Sequence, residues 1–191
     1  MSEHQTAPDP AAPARTSVDV ESASSAYDTF CAALRARGPT LNLLFEQARV
    51  SVEREGDTIV RDAFAGAVVT VLHGMLHDYW VSQSGTKYEW KHASAPANGW
   101  SVAHVLSASL DNLRHFEEWD SEKAALMIGR RSVKVLCSAL AIPFKKTSKH
   151  APFRGNVCWA VLETLSEGGG YGAIEALVRE FAAALDQKRA S

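Results

Sequence analysis

Residues 58–82 read TIVRDAFAGAVVTVLHGMLHDYWVS, and this stretch decides the fold. Its apolar residues recur at helical spacing and cover nearly the whole circumference of a helix. A helix that is apolar on most sides belongs in the middle of a bundle rather than at its surface. Asp57 is suited to cap its first turn, and the Ser-, Gly-, Lys- and Pro-containing segment 83–99 ends it. The stretch therefore predicts a buried central helix.

Helical spacing continues on both sides of this stretch, and no two-residue alternation lasts long enough to indicate a sheet. The pair Gly38-Pro39 predicts a break between two early helices, because proline cannot continue a helix and restricts the residue before it. The other predicted helices cover residues 25–38, a segment after Thr40, 101–119, 130–142, 154–165 and 171–187. The sequence predicts an all-α protein, a single bundle of about six to seven helices over residues 25–188.

The first 24 residues differ from the rest of the 191-residue chain. They are rich in Ala, Pro, Ser and acidic residues, and they contain no aromatic residue, leucine or isoleucine. Such a segment buries too little apolar surface to offset its ordering entropy. Residues 1–24 are therefore predicted to be a disordered tail.

The three cysteines, Cys31, Cys137 and Cys158, stand far apart among apolar neighbours. None of the short spacings of metal clusters or redox pairs is present, so they are predicted to be buried thiols in a reducing compartment. The sequence also shows neither a secretory leader pattern nor an uninterrupted apolar run of membrane-spanning length. These features favour a cytoplasmic protein without a membrane partner.

The few polar residues of segment 58–82 fall on one narrow stripe of the helix, which consists of Asp62, Gly66, Thr70, His73 and His77. Two histidines four residues apart can share a metal ion, but a stable site needs at least one further ligand. Gly74 also stands where a zinc-protease signature places its glutamate. Histidines that hydrogen-bond to neighbouring helices explain the stripe more simply. The sequence therefore predicts neither a metal nor another cofactor.

Segment 109–120, SLDNLRHFEEWD, belongs to the predicted helix 101–119. The apolar stripe of this helix consists of Val102, Val105, Leu106, Leu113 and Phe116, and the opposite side carries His104, Asp111, His115 and Glu118. Asn112 and Trp119 are predicted on the flank of that polar face. A face of this composition is typical of a solvated surface, but it also contains the groups that phosphate chemistry uses.

Arg114 and His115 are the predicted catalytic residues, with Asp111 as their helper. A guanidinium holds a phosphate oxygen and stabilises developing negative charge, while an imidazole moves protons near neutral pH. Asp111 lies one turn before His115 and is predicted to orient its imidazole. Trp119 offers a stacking surface for a base. Together these side chains suit cleavage of a phosphodiester without a metal.

The sequence resembles two groups of proteins, of which only the second implies an activity. The run Asn112 to Trp119 resembles an Asn-x-x-Arg/Lys-His-x-x-Glu-Trp signature of uncharacterised bacterial proteins of about this size, and RRSVKVLCSALAI and WAVLETLSEGGGY fit the same group. More distantly, a helical bundle with a paired Arg and His resembles the HEPN superfamily. That likeness implies a metal-independent ribonuclease of a toxin–antitoxin or phage-defence system. HEPN enzymes separate the two residues, whereas Arg114 and His115 are adjacent.

Charge is segregated along the chain. Between Lys123 and Leu162 the sequence has eight basic residues and no Asp or Glu, so the net charge of −2 divides into +8 within this segment and −10 outside it. The basic residues are Lys123, Arg130, Arg131, Lys134, Lys145, Lys146, Lys149 and Arg154. All but Lys123 are predicted to contact RNA or DNA, because a positive surface attracts phosphates. The alternative is a non-catalytic interaction or regulatory protein that docks an acidic protein partner, or a second copy of the chain, through this segment.

Overall fold

The computed structural model describes residues 19–52, 58–82, 97–119, 129–144, 152–153 and 155–190. It contains six α-helices, which are α1 (Asp19–Val52), α2 (Thr58–Ser82), α3 (Val102–Trp119), α4 (Gly129–Ala139), α5 (Cys158–Ser166) and α6 (Tyr171–Ala190). The described ranges hold no β-strand, only an isolated bridge between Ala97 and Trp100. The prediction of an all-α bundle is confirmed.

The prediction of a helix break at Pro39 is wrong, because α1 is continuous through that residue. Leu34, Leu41 and Phe45 lie on both sides of it and are buried in one core. A proline inside a helix costs about 3 kcal/mol. Burying a leucine or phenylalanine side chain recovers about 1.5–3 kcal/mol each, so packing of the whole helix outweighs the local penalty.

Helix α1 begins at Asp19, inside the segment that the sequence predicts to be a tail. Residues 1–18 lie outside the described ranges, so disorder there stays a prediction. The last helix extends to Ala190, slightly beyond the predicted domain end at residue 188. The helical part of the chain is thus longer at both ends than the sequence pattern indicates.

Helix α2 occupies the centre, as its composition predicts. It packs against α1, α3, α5 and α6, and its most extensive contact is with α1. The rings of Phe30 and Tyr79 lie 4.8 Å apart, so the start of α1 meets the end of α2 and the two helices are antiparallel. By length and composition α2 is also apolar enough to cross a membrane, a property that core helices of soluble proteins share.

One hydrophobic core joins all six helices. The fully buried side chains include Leu34, Leu72, Leu106, Leu136, Leu162 and Phe181, one from each helix in chain order. The predicted stop between α5 and α6 is confirmed, since Glu167, Gly168 and Gly170 adopt positive φ angles of 46°, 81° and 72°. Left-handed residues of this kind end a helix and reverse the chain. Helices α2, α3 and α4 meet around an open pocket on one side of this core.

Candidate functional site

The pocket has a volume of about 420 Å³ and is formed by three helices. Its lining consists of His73 and His77 from α2; His104, Ser107, Ala108, Leu110, Asp111 and Arg114 from α3; and Arg131, Ser132 and Val135 from α4. Three imidazoles, two guanidiniums and one carboxylate therefore surround one space. Such a combination offers both anion binding and proton transfer near neutral pH.

The α2 wall consists of the two histidines of the predicted polar stripe. Their rings are stacked, with centroids 6.2 Å apart and an interplanar angle of 25°. The other stripe residues lie elsewhere: Thr70 Oγ1 donates a 2.7 Å hydrogen bond to the Gly66 carbonyl of its own helix. Only the second half of the stripe, His73 and His77, therefore lines the pocket.

His104 forms part of the α3 wall and is held by the start of its own helix. Ser101 Oγ lies 2.8 Å from His104 Nδ1 and also accepts the His104 backbone N–H at 3.4 Å, so Ser101 is the N-terminal cap of α3. His104 is only 9% exposed. The sequence placed it on an exposed face, and this is wrong because α3 is buried on nearly all sides in its first half.

A short turn before α3 holds the C-terminal end of α4 next to the α3 side of the pocket. Asn98 and Gly99 have φ angles of 47° and 85°, the pattern of a type I′ turn between Ala97 and Trp100. Asn98 Nδ2 donates a 2.7 Å hydrogen bond to the carbonyl of Ser138, the penultimate residue of α4. The Trp100 ring meets the His104 ring edge-on at 5.6 Å. The turn therefore positions both α4 and His104.

Asp111 and Ser132 join α3 to α4 inside the pocket. The Ser132 hydroxyl donates a 2.7 Å hydrogen bond to Asp111 Oδ2. Arg114 follows Asp111 by three residues on α3, and Arg131 precedes Ser132 on α4; both arginines are exposed and line the pocket. This bond therefore brings two guanidiniums from different helices to one opening.

The predicted catalytic trio is divided by the structure. Asp111 and Arg114 line the pocket, whereas His115 is exposed and lies outside the pocket lining. Neighbouring residues on a helix point about 100° apart, so the adjacent Arg and His face different surroundings. The imidazoles nearest to Arg114 in this pocket come from α2 and from the start of α3.

Two residues predicted on the exposed flank of α3 are buried. Asn112 is 1% exposed; its Oδ1 accepts the Val157 N–H at 2.9 Å and its Nδ2 donates to the Gly155 carbonyl at 3.3 Å. Trp119 is 8% exposed and packs against Phe153, with ring centroids 6.0 Å apart. The prediction that Trp119 stacks a base is therefore wrong, because the core covers its ring. Both side chains instead anchor the segment before α5.

The basic segment is described only in part. Arg131 and Lys134 are exposed on α4, and Lys134 Nζ lies 5.9 Å from the centre of the Trp100 ring. Arg130 lies on α4, but its side chain is outside the described part of the structure. Lys123, Lys145, Lys146, Lys149 and Arg154 also lie outside the described residues. The nucleic-acid contacts predicted for Arg130, Lys145, Lys146, Lys149 and Arg154 therefore stay predictions, as do those of Arg131 and Lys134.

All three cysteines are free and buried, as the sequence predicts. Burial raises the pKa of the Cys158 thiol to about 12 and the pKa of Cys137 to about 11. Both thiols are therefore protonated near neutral pH, and a protonated thiol is a poor nucleophile. The cysteines belong to the core and not to the chemistry of the pocket.

The sequence assigned three of the ionisable pocket residues, Asp111, Arg114 and Arg131, to a functional site and missed the way they meet. His73, His77, His104 and Ser132 were not assigned to it. The serine three residues before His104 is a signal for the cap of α3, but no local pattern indicates that Ser132 on α4 reaches Asp111 on α3.

Within the described residues, no group of three or more His, Cys, Asp or Glu side chains could hold a metal ion. The three pocket histidines are therefore not arranged as a set of metal ligands.

Comparisons with known proteins do not assign the chain to a family. The likeness to HEPN proteins and to the Asn-x-x-Arg/Lys-His-x-x-Glu-Trp signature therefore stays an expectation from the residues. No family model, no curated protein and no solved structure matches the chain.

Proposed function

We propose that this protein engages RNA or DNA by holding a phosphate group in the α2–α3–α4 pocket, and that it cleaves RNA there without a metal. One observation carries the proposal: Arg114 and Arg131, from two different helices, line the same pocket as His73 and His77. Guanidiniums are the preferred partners of phosphate oxygens because their N–H groups form paired hydrogen bonds. The HEPN-like resemblance suggests a place in a cytoplasmic toxin–antitoxin or phage-defence system.

The proposed cleavage uses the imidazoles as acid and base. One neutral imidazole takes the proton of a ribose 2′-hydroxyl, and the 2′-oxygen attacks the adjacent phosphorus. The bond from phosphorus to the 5′-oxygen breaks, and a protonated imidazole gives that oxygen its proton. The products are a 2′,3′-cyclic phosphate and a 5′-hydroxyl. Arg114 and Arg131 stabilise the charge that develops on the phosphorus oxygens.

Histidines on separate helices suit these two roles. His73 and His77 come from α2, while His104 is held on α3 by Ser101. A reacting phosphate between the two walls has an imidazole on each side. The hydrogen bond at His104 Nδ1 fixes the ring orientation, which is the usual way in which a protein selects the nitrogen that acts.

The test is RNA cleavage in the presence of EDTA. Wild-type protein is compared with Arg114→Ala, Arg131→Ala, His77→Ala and His115→Ala, and Arg37→Ala serves as the control because Arg37 is an exposed arginine that lines a different pocket between α1 and α2. Loss of a pocket arginine is expected to reduce the rate at least about 10-fold. Cleavage that depends on His115 and not on His77 would show that the catalytic residues lie on the outer face of α3 and not in the pocket. Cleavage that no pocket substitution alters would refute the site.

The non-catalytic alternative keeps one observation in its favour. Arg131 and Lys134 are both exposed on α4, the described part of the basic segment, and such a surface also suits an acidic protein partner. Binding of RNA and of polyglutamate across a salt series separates the two proposals. Phosphate contacts make RNA binding strongly salt-dependent. Binding of polyglutamate without binding of RNA would favour the alternative.

A further inference from the structure

The size of the pocket limits what it can hold. Its volume is about 420 Å³. Small-molecule sites span about 300–1,000 Å³, so this pocket lies near the lower end of that range. A single nucleotide fits such a space, whereas a double helix is recognised over a much longer surface.

The charge of the pocket suits a ligand with two negative charges once one imidazole is protonated. Arg114 and Arg131 contribute two permanent positive charges, and Asp111 contributes the single carboxylate. With neutral histidines the lining is net positive by one charge, which the single charge of an internal phosphodiester balances. Each imidazole that takes a proton adds one positive charge. A phosphate monoester carries about −1.5 to −2 charges at pH 7, so it balances the lining better than a phosphodiester when one imidazole is protonated.

The number of hydrogen-bond donors points the same way. Each guanidinium has five N–H groups in a planar fork. A phosphate monoester offers three terminal oxygens to two such forks, whereas an internal phosphodiester offers two. One acceptor site of Asp111 is taken by the Ser132 hydroxyl, which donates a hydrogen bond to its Oδ2. A monoester therefore uses more of the donors that the pocket supplies.

The remaining lining suits a nucleoside attached to that phosphate. Ala108, Leu110 and Val135 give the pocket an apolar side and are themselves buried. The stacked rings of His73 and His77 stand on the α2 side. Histidine rings are among the side chains on which unstacked bases stack in protein complexes. Apolar and aromatic surface of this kind favours a nucleotide over inorganic phosphate.

We infer that the preferred ligand of the pocket is a phosphate monoester of nucleotide size, either a free nucleoside monophosphate or the terminal phosphate of an oligonucleotide. This inference rests on the proposed function, since it uses the same pocket as the phosphate site. It goes further because it assigns the tightest binding to a chain end or a free nucleotide and not to an internal phosphodiester.

The test uses binding titrations with probes that differ only in their phosphate. The small probes are AMP, adenosine and inorganic phosphate. The others are one single-stranded deoxyoligonucleotide with a 5′-phosphate, a 3′-phosphate or neither; it lacks the 2′-hydroxyl that the proposed cleavage needs. A terminal phosphate, or the phosphate of AMP, is expected to increase affinity at least about 10-fold over the hydroxyl form. AMP binding without an effect of the oligonucleotide ends would identify the free nucleotide as the ligand, and the reverse would identify the chain end.

Variants keep the inference separate from the proposed function. Arg114→Ala and Arg131→Ala are expected to remove the gain from the terminal phosphate, and Arg37→Ala is expected to keep it; thermal unfolding of each variant checks that it is folded. Equal affinity for the phosphorylated and unphosphorylated oligonucleotides, together with equal affinity for AMP and adenosine, overturns the inference. If the oligonucleotide affinities still fall with the pocket arginines, the proposed function stands. If neither arginine affects the binding of any probe, or no probe binds, both proposals are wrong.

Discussion

The hydroxyl of Ser132 on α4 lies 2.7 Å from Asp111 Oδ2 on α3 and donates a hydrogen bond to it. This bond connects the two helices that supply Arg131 and Arg114 to the pocket. It also occupies an acceptor that would otherwise be available to pair with a guanidinium. The bond therefore ties together the two helix segments from which the arginines line the pocket.

Ser132→Ala is expected to weaken AMP binding by about 2- to 10-fold, which corresponds to the usual 0.5–1.5 kcal/mol of one hydrogen bond. The substitution loosens the contact between α3 and α4 and lets Asp111 compete for the arginines. Isothermal titration with AMP measures the effect. Ser138→Ala is the control, because that hydroxyl is also on α4 but bonds to the Asn98 carbonyl at the other end of the helix. Equal losses in the two variants would show that the Asp111 contact has no special role.

Asn112→Ala is expected to destabilise the fold by about 1–3 kcal/mol, the cost of leaving buried polar groups without partners. The Asn112 side chain pairs with the backbone of Gly155 and Val157, and alanine can form neither bond. Urea unfolding measures the change. Asn42→Ala removes an exposed asparagine of α1 and is expected to change stability by less than about 0.5 kcal/mol. A small effect of Asn112→Ala would mean that water satisfies the freed groups.

The two glycines of α2 are expected to respond differently to alanine. At Gly74 a Cβ atom meets nothing within 4 Å, so Gly74→Ala should stabilise the helix by about 0.5–1 kcal/mol. At Gly66 the same atom would lie 3.1 Å from a Leu113 methyl group, because α3 approaches α2 closely there. Gly66→Ala should therefore gain less stability or lose some. Thermal unfolding of both variants tests this order, and a larger gain at Gly66 would contradict it.

Stability is expected to fall as the pH rises above about 9. Burial holds the proton on Cys158 up to a pKa of about 12, whereas the ordinary value of a thiol is 9.0. Between these values the unfolded chain loses the proton and the folded chain keeps it, so unfolding becomes more favourable by about 1.4 kcal/mol per pH unit for this group. Below pH 9 the thiol is protonated in both states and contributes no slope.

Unfolding free energies of wild-type protein and Cys158→Ala between pH 8 and 11 check this expectation. The variant is less stable overall because a cavity replaces the sulfur, but its stability should depend less steeply on pH. Parallel curves for the two proteins would exclude Cys158 as a source of the slope. Cys31→Ala provides a matched removal of another buried thiol, on α1.

The sequence predicts the fold well where the pattern is local. The apolar run that forms α2 and the Glu167–Gly170 stop are both recognised from neighbouring residues alone. The error at Pro39 arises because the rule for proline is local, whereas α1 stays helical through it and packs against α2 and α6. Local penalties of this size are overcome by tertiary packing.

The sequence predicts individual residues of the site but not how they are brought together. Arg114, Asp111, His73 and His77 are each identified from helical spacing, but the contact between their helices is not encoded in any short segment. The errors at Asn112 and Trp119 have the same origin. Their partners, Val157 and Phe153, are far along the chain, so a helical wheel of α3 alone cannot show that these side chains are covered.

The apolar surface of α2 also has a consequence for synthesis. Newly made domains generally fold from the N-terminus onward. The 34 residues of α1 leave the ribosome before α2 and form its largest contact. An antiparallel helical hairpin can therefore cover much of the nascent apolar segment before the rest of the chain exists. The order of the first two helices protects the segment most easily mistaken for a membrane anchor while translation is still under way.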